Sequence, residues 1–177
     1  MRSESEQTLS VSLITPTYNE NENIGLLADE IFQVLDGIDD IDLELIVVDD
    51  NSPDGTGEAA EKLKERYPVQ VVHRAGKLGL GSAVMEGFAL SERPYLGVMD
   101  ADLSHDPIVL PQLIHALRDY DLTIGSRFGE TSLVEEWAWH LSWCRWSEWP
   151  WRECSPEPRI HLLVFSSCAS DRWRGCP

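Results

Sequence analysis

The sequence predicts an α/β fold, a mostly parallel sheet with helices on both faces. Three observations carry this. Through residues 1–128, short aliphatic runs alternate with stretches whose apolar residues recur three and four apart. The run at 43–48 is almost unbroken aliphatic, as expected of a strand buried on both faces. Turn chemistry such as Asn-Ser-Pro-Asp-Gly at 51–55 separates the runs. With 177 residues, the chain is long enough for one domain with a substantial core.

In chain order, residues 9–14 form a first strand ending at Thr15-Pro16. Asn21 or Asn23 caps a helix whose apolar positions are Ile24, Leu27, Ile31, Val34 and Leu35, and Gly37 ends it. The second strand covers 43–48, and Thr56 caps a second helix reaching Tyr67. Residues 69–73 form a third strand, 79–90 a third helix and 95–99 a fourth strand. Asp106 caps a helix with Pro107 at its first position, running to about Arg118, and 122–124 form a fifth strand. Repeated β-α units of this spacing imply a mostly parallel sheet with helices on both faces.

The net charge is −17, with 24 acidic and 9 basic residues in 1–128 against 7 and 5 in 129–177. This balance argues against a nucleic-acid partner and against a basic patch for anionic lipid. The N-terminus is polar rather than signal-like, and no apolar run reaches the ~18 residues of a spanning helix, so the chain as given is expected to be soluble.

The strand ends hold the chemistry. After strand four comes Val-Met-Asp-Ala-Asp-Leu-Ser-His-Asp-Pro at 98–107, whose Asp100 and Asp102 lie one residue apart. A lone Asp-x-Asp is usually a solvated acidic turn. At the carboxyl edge of a parallel sheet, such a pair can share one divalent cation and leave positions open for phosphate oxygens. Other strand ends support that reading. After strand one, Pro16, Tyr18 and Glu20 reach the same edge, without the G-x-G-x-x-G of a dinucleotide site. After strand two, Asp49-Asp50 can accept ribose hydroxyls, although one of the two is explained as a turn residue. After strand three, Arg74-Ala-Gly-Lys-Leu-Gly-Leu-Gly81 offers glycine N–H groups to an anion at a helix N-terminus. After strand five, Arg127 can clamp a diphosphate through its guanidinium. Together these describe a nucleotide-diphosphate pocket with one metal.

The segments PTYNE, VVDDNSPDGT, GKLGLGSAVMEGF, MDADLSHDP and GSRF, in this order, resemble glycosyltransferase family 2. Within it they look most like the dolichol-phosphate (polyprenol-phosphate) mannosyltransferases, over roughly residues 11–128. The resemblance implies a GT-A fold, Rossmann-like and here incomplete. It implies inverting transfer of mannose from GDP-mannose to a polyprenyl (dolichyl) phosphate, with Mg²⁺ or Mn²⁺, at the cytoplasmic membrane face in the complete enzyme. It places Pro16, Tyr18, Glu20, Val48 and Asp50 around the nucleoside, Asp100, Ala101 and Asp102 at the diphosphate and metal, and Arg127 on phosphate. Asp100, Asp102 and Arg127 are then the catalytic set, and His105 beside the metal is structural. Ser104 stands where some relatives use a longer amide as a further metal contact, so water completes the shell. Three other readings remain: a glucosyl donor, a non-catalytic nucleotide-sugar binder, and a haloacid-dehalogenase-like phosphohydrolase through Asp100-Ala-Asp-Leu-Ser104. That last family places its nucleophile after the first strand, whereas Asp100 follows the fourth.

The chain thus divides into a nucleotide-sugar-binding core at 9–128 and an atypical tail at 129–177. All seven Trp and all four Cys lie in the tail, which has no Lys or Tyr. Cys144, Cys154, Cys168 and Cys176 show no metal spacing, although His140, Cys144, Cys154 and His161 could make a zinc site. The tail reads as translated out of frame or truncated. A Trp codon shifted by one base gives a Leu, Val or Met codon, and residues 159–169 shifted likewise can spell Asp-Ser-Pro-Ser-Gly-Phe, as the family has at this distance. On this reading the tail is loose, and the core is an inactive fragment lacking its acceptor half.

Overall fold

The computed structural model describes residues 8–125 and the backbone of 161–165. The elements are β1 (Leu9–Thr17), α1 (Ile24–Leu35), β2 (Ile41–Asp49), α2 (Thr56–Leu63), β3 (Val69–His73), α3 (Leu80–Leu90), β4 (Tyr95–Val98), a 3-10 turn (Pro107–Val109), α4 (Leu110–Ala116), β5 (Leu122–Gly125) and β6 (His161–Phe165). Every described strand pair is parallel, in the order β3-β2-β1-β4-β6-β5. The chain builds outward from β1 through β2 to β3, then crosses to the other side of β1 for β4. That reversal opens a crevice between the carboxyl ends of β1 and β4, where open α/β sheets bind ligands.

Side chains alternate across the sheet with period two. One face carries Leu9, Val11 and Leu13 of β1 with Leu43, Leu45 and Val47 of β2, packed in the larger core with Leu27, Ile31, Leu63, Leu110 and Ile114 of the helices α1, α2 and α4. The opposite face carries Ile14, Ile46 and Val48, covered by α3 through Ala83 and Phe88. Gly87 lets α3 lie close, because a Cβ there would stand 2.6 Å from Ile14 Cγ2.

Three local expectations change. Neither Asn21 nor Asn23 caps α1 through its side chain. The backbone N–H of Thr56 donates to Asp54 Oδ1, so at the start of α2 the carboxylate of Asp54 takes the accepting role expected of the threonine. The helix expected from Asp106 is two pieces. Asp106 does accept from the Ile108 N–H, but Pro111 cannot donate an N–H, so a 3-10 turn precedes α4.

The tail also differs from its sequence reading at one place. Residues 161–165, expected to be loose, form β6 between β4 and β5, with Tyr95 opposite His161 and Leu122 opposite Leu162. The run His-Leu-Leu-Val-Phe has the apolar continuity of an interior parallel strand. Arg127, His140, Cys144 and Cys154 lie outside the described residues. Among the described residues, no helix is long and apolar enough to cross a membrane.

Candidate functional site

The loops after β1 and β2 are laced together at the carboxyl edge. The Asn19 N–H donates to Ser52 Oγ at 3.0 Å, and the Glu20 N–H to Thr56 Oγ1 at 2.9 Å. Asn21 donates to Asp54 twice, from its backbone N–H and from its side-chain amide. Thr56 in turn donates its hydroxyl to Asp54 Oδ1 at 2.6 Å, which holds the Asp54 carboxyl below its ordinary value. Asn23 Nδ2 donates to Glu20 Oε2 at 2.7 Å, fixing the glutamate expected at the nucleoside. The asparagines therefore build the edge instead of capping a helix.

Period-two alternation also separates the two adjacent aspartates. Asp49 accepts from Thr17 Oγ1 and from the N–H and hydroxyl of Ser52, which closes the 49–52 turn. It is the turn residue that sequence reasoning allowed for. Asp50 is placed on the α3 side, where its carboxylate meets Arg74 Nη1 and the Gly79 N–H, the latter at 3.3 Å. The glycine loop does present an N–H to an anion, and at Gly79 that anion is a carboxylate of the chain itself. Arg74 is buried, and a sequence reading that treated it as part of a glycine loop missed its role. The register carries the missing signal. Asp49 stands opposite His73, so the next pair along is Asp50 and Arg74.

Pro16 and Val48 are direct partners across β1 and β2, and the Asp50 N–H donates to Thr17 O. Tyr18 lies in the loop after β1, and Lys77 Nζ from the glycine loop sits 3.9 Å from its ring centroid, a cation–π contact between the two loops. The fold thus gathers Pro16, Tyr18, Glu20, Val48 and Asp50 at one edge.

Across the crevice, the Met99 N–H donates to Ile14 O, which carries β4 out beside β1. Ala101 is buried, Asp100 half-buried and Asp102 exposed. Asp102 Oδ1 accepts from the Ser104 N–H at 2.9 Å, a tight turn around Leu103 at φ 55°. Leu103 is a non-glycine residue in the left-handed region, as are Asn19 and Asn51 in the loops after β1 and β2. Such positions cost about 1–3 kcal/mol each, and they collect at functional edges. An open cleft of about 700 Å³ flanks the 103–108 loop on its α1 side, lined by Glu30, Gln33 and Val34, and no nucleoside-side residue lines it.

The Asp100/Asp102 pair fits a hard divalent cation by donor type, oxygen ligands with room for others. Among the described residues, no three His, Cys, Asp or Glu side chains converge on a metal, so further ligands would come from phosphate oxygens and water.

The family model for glycosyl transferase family 2 matches residues 12–170. The chain belongs to glycosyltransferase family 2. Its match runs past residue 128, where the motif resemblance ended, and takes in β6. The chain is 44% identical over 133 residues to a dolichol-phosphate mannosyltransferase of Pyrococcus furiosus, covering 75% of this chain and 37% of that protein. It is 38% identical over 122 residues to the dolichol-phosphate mannosyltransferase of Saccharomyces cerevisiae, covering 68% and 46%. Among solved structures it is similar to the mannosyltransferase PcManGT of Pyrobaculum calidifontis in complex with GDP-Man and Mn²⁺. That match has a TM-score of 0.57 and 27% identity, over 66% of this chain and 35% of that one. The fold is GT-A. This family member spans between about a third and a half of the length of the curated relatives it matches.

Proposed function

We propose that the chain carries the donor half of a polyprenyl-phosphate mannosyltransferase, with GDP-mannose as donor and a dolichyl or related polyprenyl phosphate as acceptor. The observation that carries this is the placement of two groups of residues at the carboxyl ends of neighbouring parallel strands. Pro16, Tyr18, Glu20, Val48 and Asp50 lie at the ends of β1 and β2 or just after them, and Asp100 and Asp102 just after the end of the neighbouring β4. The relatives named as dolichol-phosphate mannosyltransferases and the neighbour bound to GDP-Man and Mn²⁺ support the same donor.

The first group receives the nucleoside, Asp50 through ribose or base donors. Asp100 and Asp102 would hold Mg²⁺ or Mn²⁺, which when bound supplies charge neutralisation for a departing diphosphate. Arg127 is assigned to the same phosphates. A polyprenyl phosphate has a second pKa near ~6, so at neutral pH its oxygen is already an anionic nucleophile. It attacks the anomeric carbon from the face opposite the GDP oxygen. The new C–O bond forms as the old one breaks, with inversion, and the electron pair leaves on GDP. No side chain has to remove a proton.

The chain spans about a third to a half of the length of the curated relatives it matches, and no acceptor groove is assigned to the described residues. Without an oriented acceptor, the proximity advantage of the reaction is lost. The 177-residue form should therefore bind donor and transfer no measurable sugar, and a frame-restored, longer form should transfer mannose into lipid. The assay is radiolabel transfer into a lipid-extractable product, run with GDP-mannose and with GDP- and UDP-glucose. Robust transfer by the short form would overturn the account of the tail, and preference for a glucosyl donor would overturn the choice of sugar. Calorimetry with GDP tests the metal. Asp102→Ala should abolish the Mn²⁺-dependent part of the affinity, and equal affinity in chelator, in Mn²⁺ and in the variant would refute the assignment.

A further inference from the structure

Arg74 follows β3 directly, and its side chain is 3% exposed. Its guanidinium makes bonds in four directions. Nη1 donates to Asp50 Oδ1 and, at 3.4 Å, to Gly79 O, while Nη2 donates to Ser82 Oγ at 2.7 Å and Nε to Glu86 Oε2 at 2.9 Å. Ser82 also donates to Gly79 O at 2.8 Å, so the start of α3 closes on the same cluster.

The two carboxylates differ. Glu86, 45% exposed, faces solvent from α3, whereas Asp50, 8% exposed, stands at the sheet edge beside Val48 and Thr17. An ionised carboxylate has about four lone-pair sites. Arg74 and Gly79 engage one on each Asp50 oxygen, which leaves further acceptor capacity on this carboxylate at the sheet edge. A lysine ammonium is a point charge and cannot hold these partners in one plane.

We propose that Arg74 is the positioning residue of the nucleoside site. It fixes the orientation of Asp50 and couples it to the glycine loop, so that the loop and the nucleoside carboxylate act as one unit. This rests on the reading of Asp50 as a nucleoside-facing group, and the test separates the two claims.

The 177-residue chain and its variants are titrated with GDP and with inorganic pyrophosphate, both with Mn²⁺, and melting temperature is recorded in parallel. Arg74→Gln should weaken GDP about tenfold, a loss of about 1.4 kcal/mol, and leave pyrophosphate within about twofold. Arg74→Lys should recover part of the loss, and Arg74→Gln should add little on top of Asp50→Asn. A folded Arg74→Gln that binds GDP like the wild type, while Asp50→Asn is weakened, overturns the positioning role and leaves Asp50 in place. Asp50→Asn with wild-type GDP affinity, or a wild-type chain that does not bind GDP, overturns the underlying reading. Equal loss of GDP and pyrophosphate in Arg74→Gln makes Arg74 a scaffold residue only and overturns the proposal. If Arg74→Gln does not fold, the Ser82→Ala/Glu86→Gln double variant decides. It frees the guanidinium on its α3 side and should weaken GDP about threefold with pyrophosphate unchanged, and unchanged GDP affinity overturns the inference.

Discussion

Gly87→Ala tests whether α3 is seated as tightly as the geometry indicates. The added methyl would lie 2.6 Å from Ile14 Cγ2 and 2.8 Å from Cγ1, where ordinary contact needs more than 3.4 Å. Ile14 is fully buried, in a cluster with Ile46, Val48 and Ala83, and a β-branched chain on a strand has little freedom to rotate away. The helix must therefore rise from the sheet. Overpacking of this kind costs roughly 1–3 kcal/mol, and contact with two atoms of one stiff residue places it near the top of that range. Replacing a helix-interior glycine gains back about 1 kcal/mol of propensity. The net loss is then about 2 kcal/mol, a fall in Tm of roughly 4–8 °C for a chain of this size. Calorimetric melting of the variant measures it. Ile14→Ala removes both clashing atoms, so Gly87→Ala in that background should be neutral or favourable. A rise in Tm for Gly87→Ala alone would show that propensity dominates and that the close approach is not real.

Other outcomes follow from features at the loops and edges. Asp40 is held below its ordinary value of 3.8 chiefly by its hydrogen bond with His115, and also by Arg118. Asp54 is lowered by Thr56, and Glu61 is lowered from 4.5 by Lys64 and His73. Lowered carboxyls contribute stability that is present above their unfolded values and lost as pH falls through the folded ones. Urea midpoints should be level above about pH 5 and fall below pH 4.5, less steeply in Asp40→Asn, and a midpoint rising from pH 5 to 3 would contradict this. Deleting residues 142–177 removes β6, the sole strand that β5 pairs with among the described residues, so amides 122–125 should lose hydrogen-exchange protection. Unchanged protection there would mean that β6 is not in the sheet.

The alternation of strands and helices was legible because each element carries its own signal. The aliphatic run of β2, the three-four spacing of α1 and the turn at 51–55 need no partner to be recognised. What escaped was pairing. Which of Asp49 and Asp50 faces which side depends on the phase of the alternation. That Arg74 meets Asp50 depends on register between β2 and β3. Asn21 was read as a cap because its partner Asp54 belongs to another loop. β6 escaped for the same reason in stronger form, since its partners are distant in sequence and its flanks are rich in tryptophan. Of the site residues named from the motifs, those among the described residues lie at the carboxyl ends of β1, β2 and β4, and Arg127 lies outside them. The arginine that meets Asp50 was hidden in a stretch that looked like a phosphate loop.

The place of β6 also constrains the order of events during synthesis. β4 and β5 leave the ribosome first, yet the two are not paired with each other in the finished sheet, because the slot between them belongs to a strand made later. Until residue 165 is available, β4 has an open edge on the side away from β1, a row of unpaired backbone groups that another chain could extend. The β3-β2-β1-β4 portion can close early, on local crossovers. The last third of the sheet waits for a long-range insertion, the slowest kind of strand pairing. Between these two events, the nascent molecule is most exposed to intermolecular strand addition, and a chaperone would act to greatest effect in that interval.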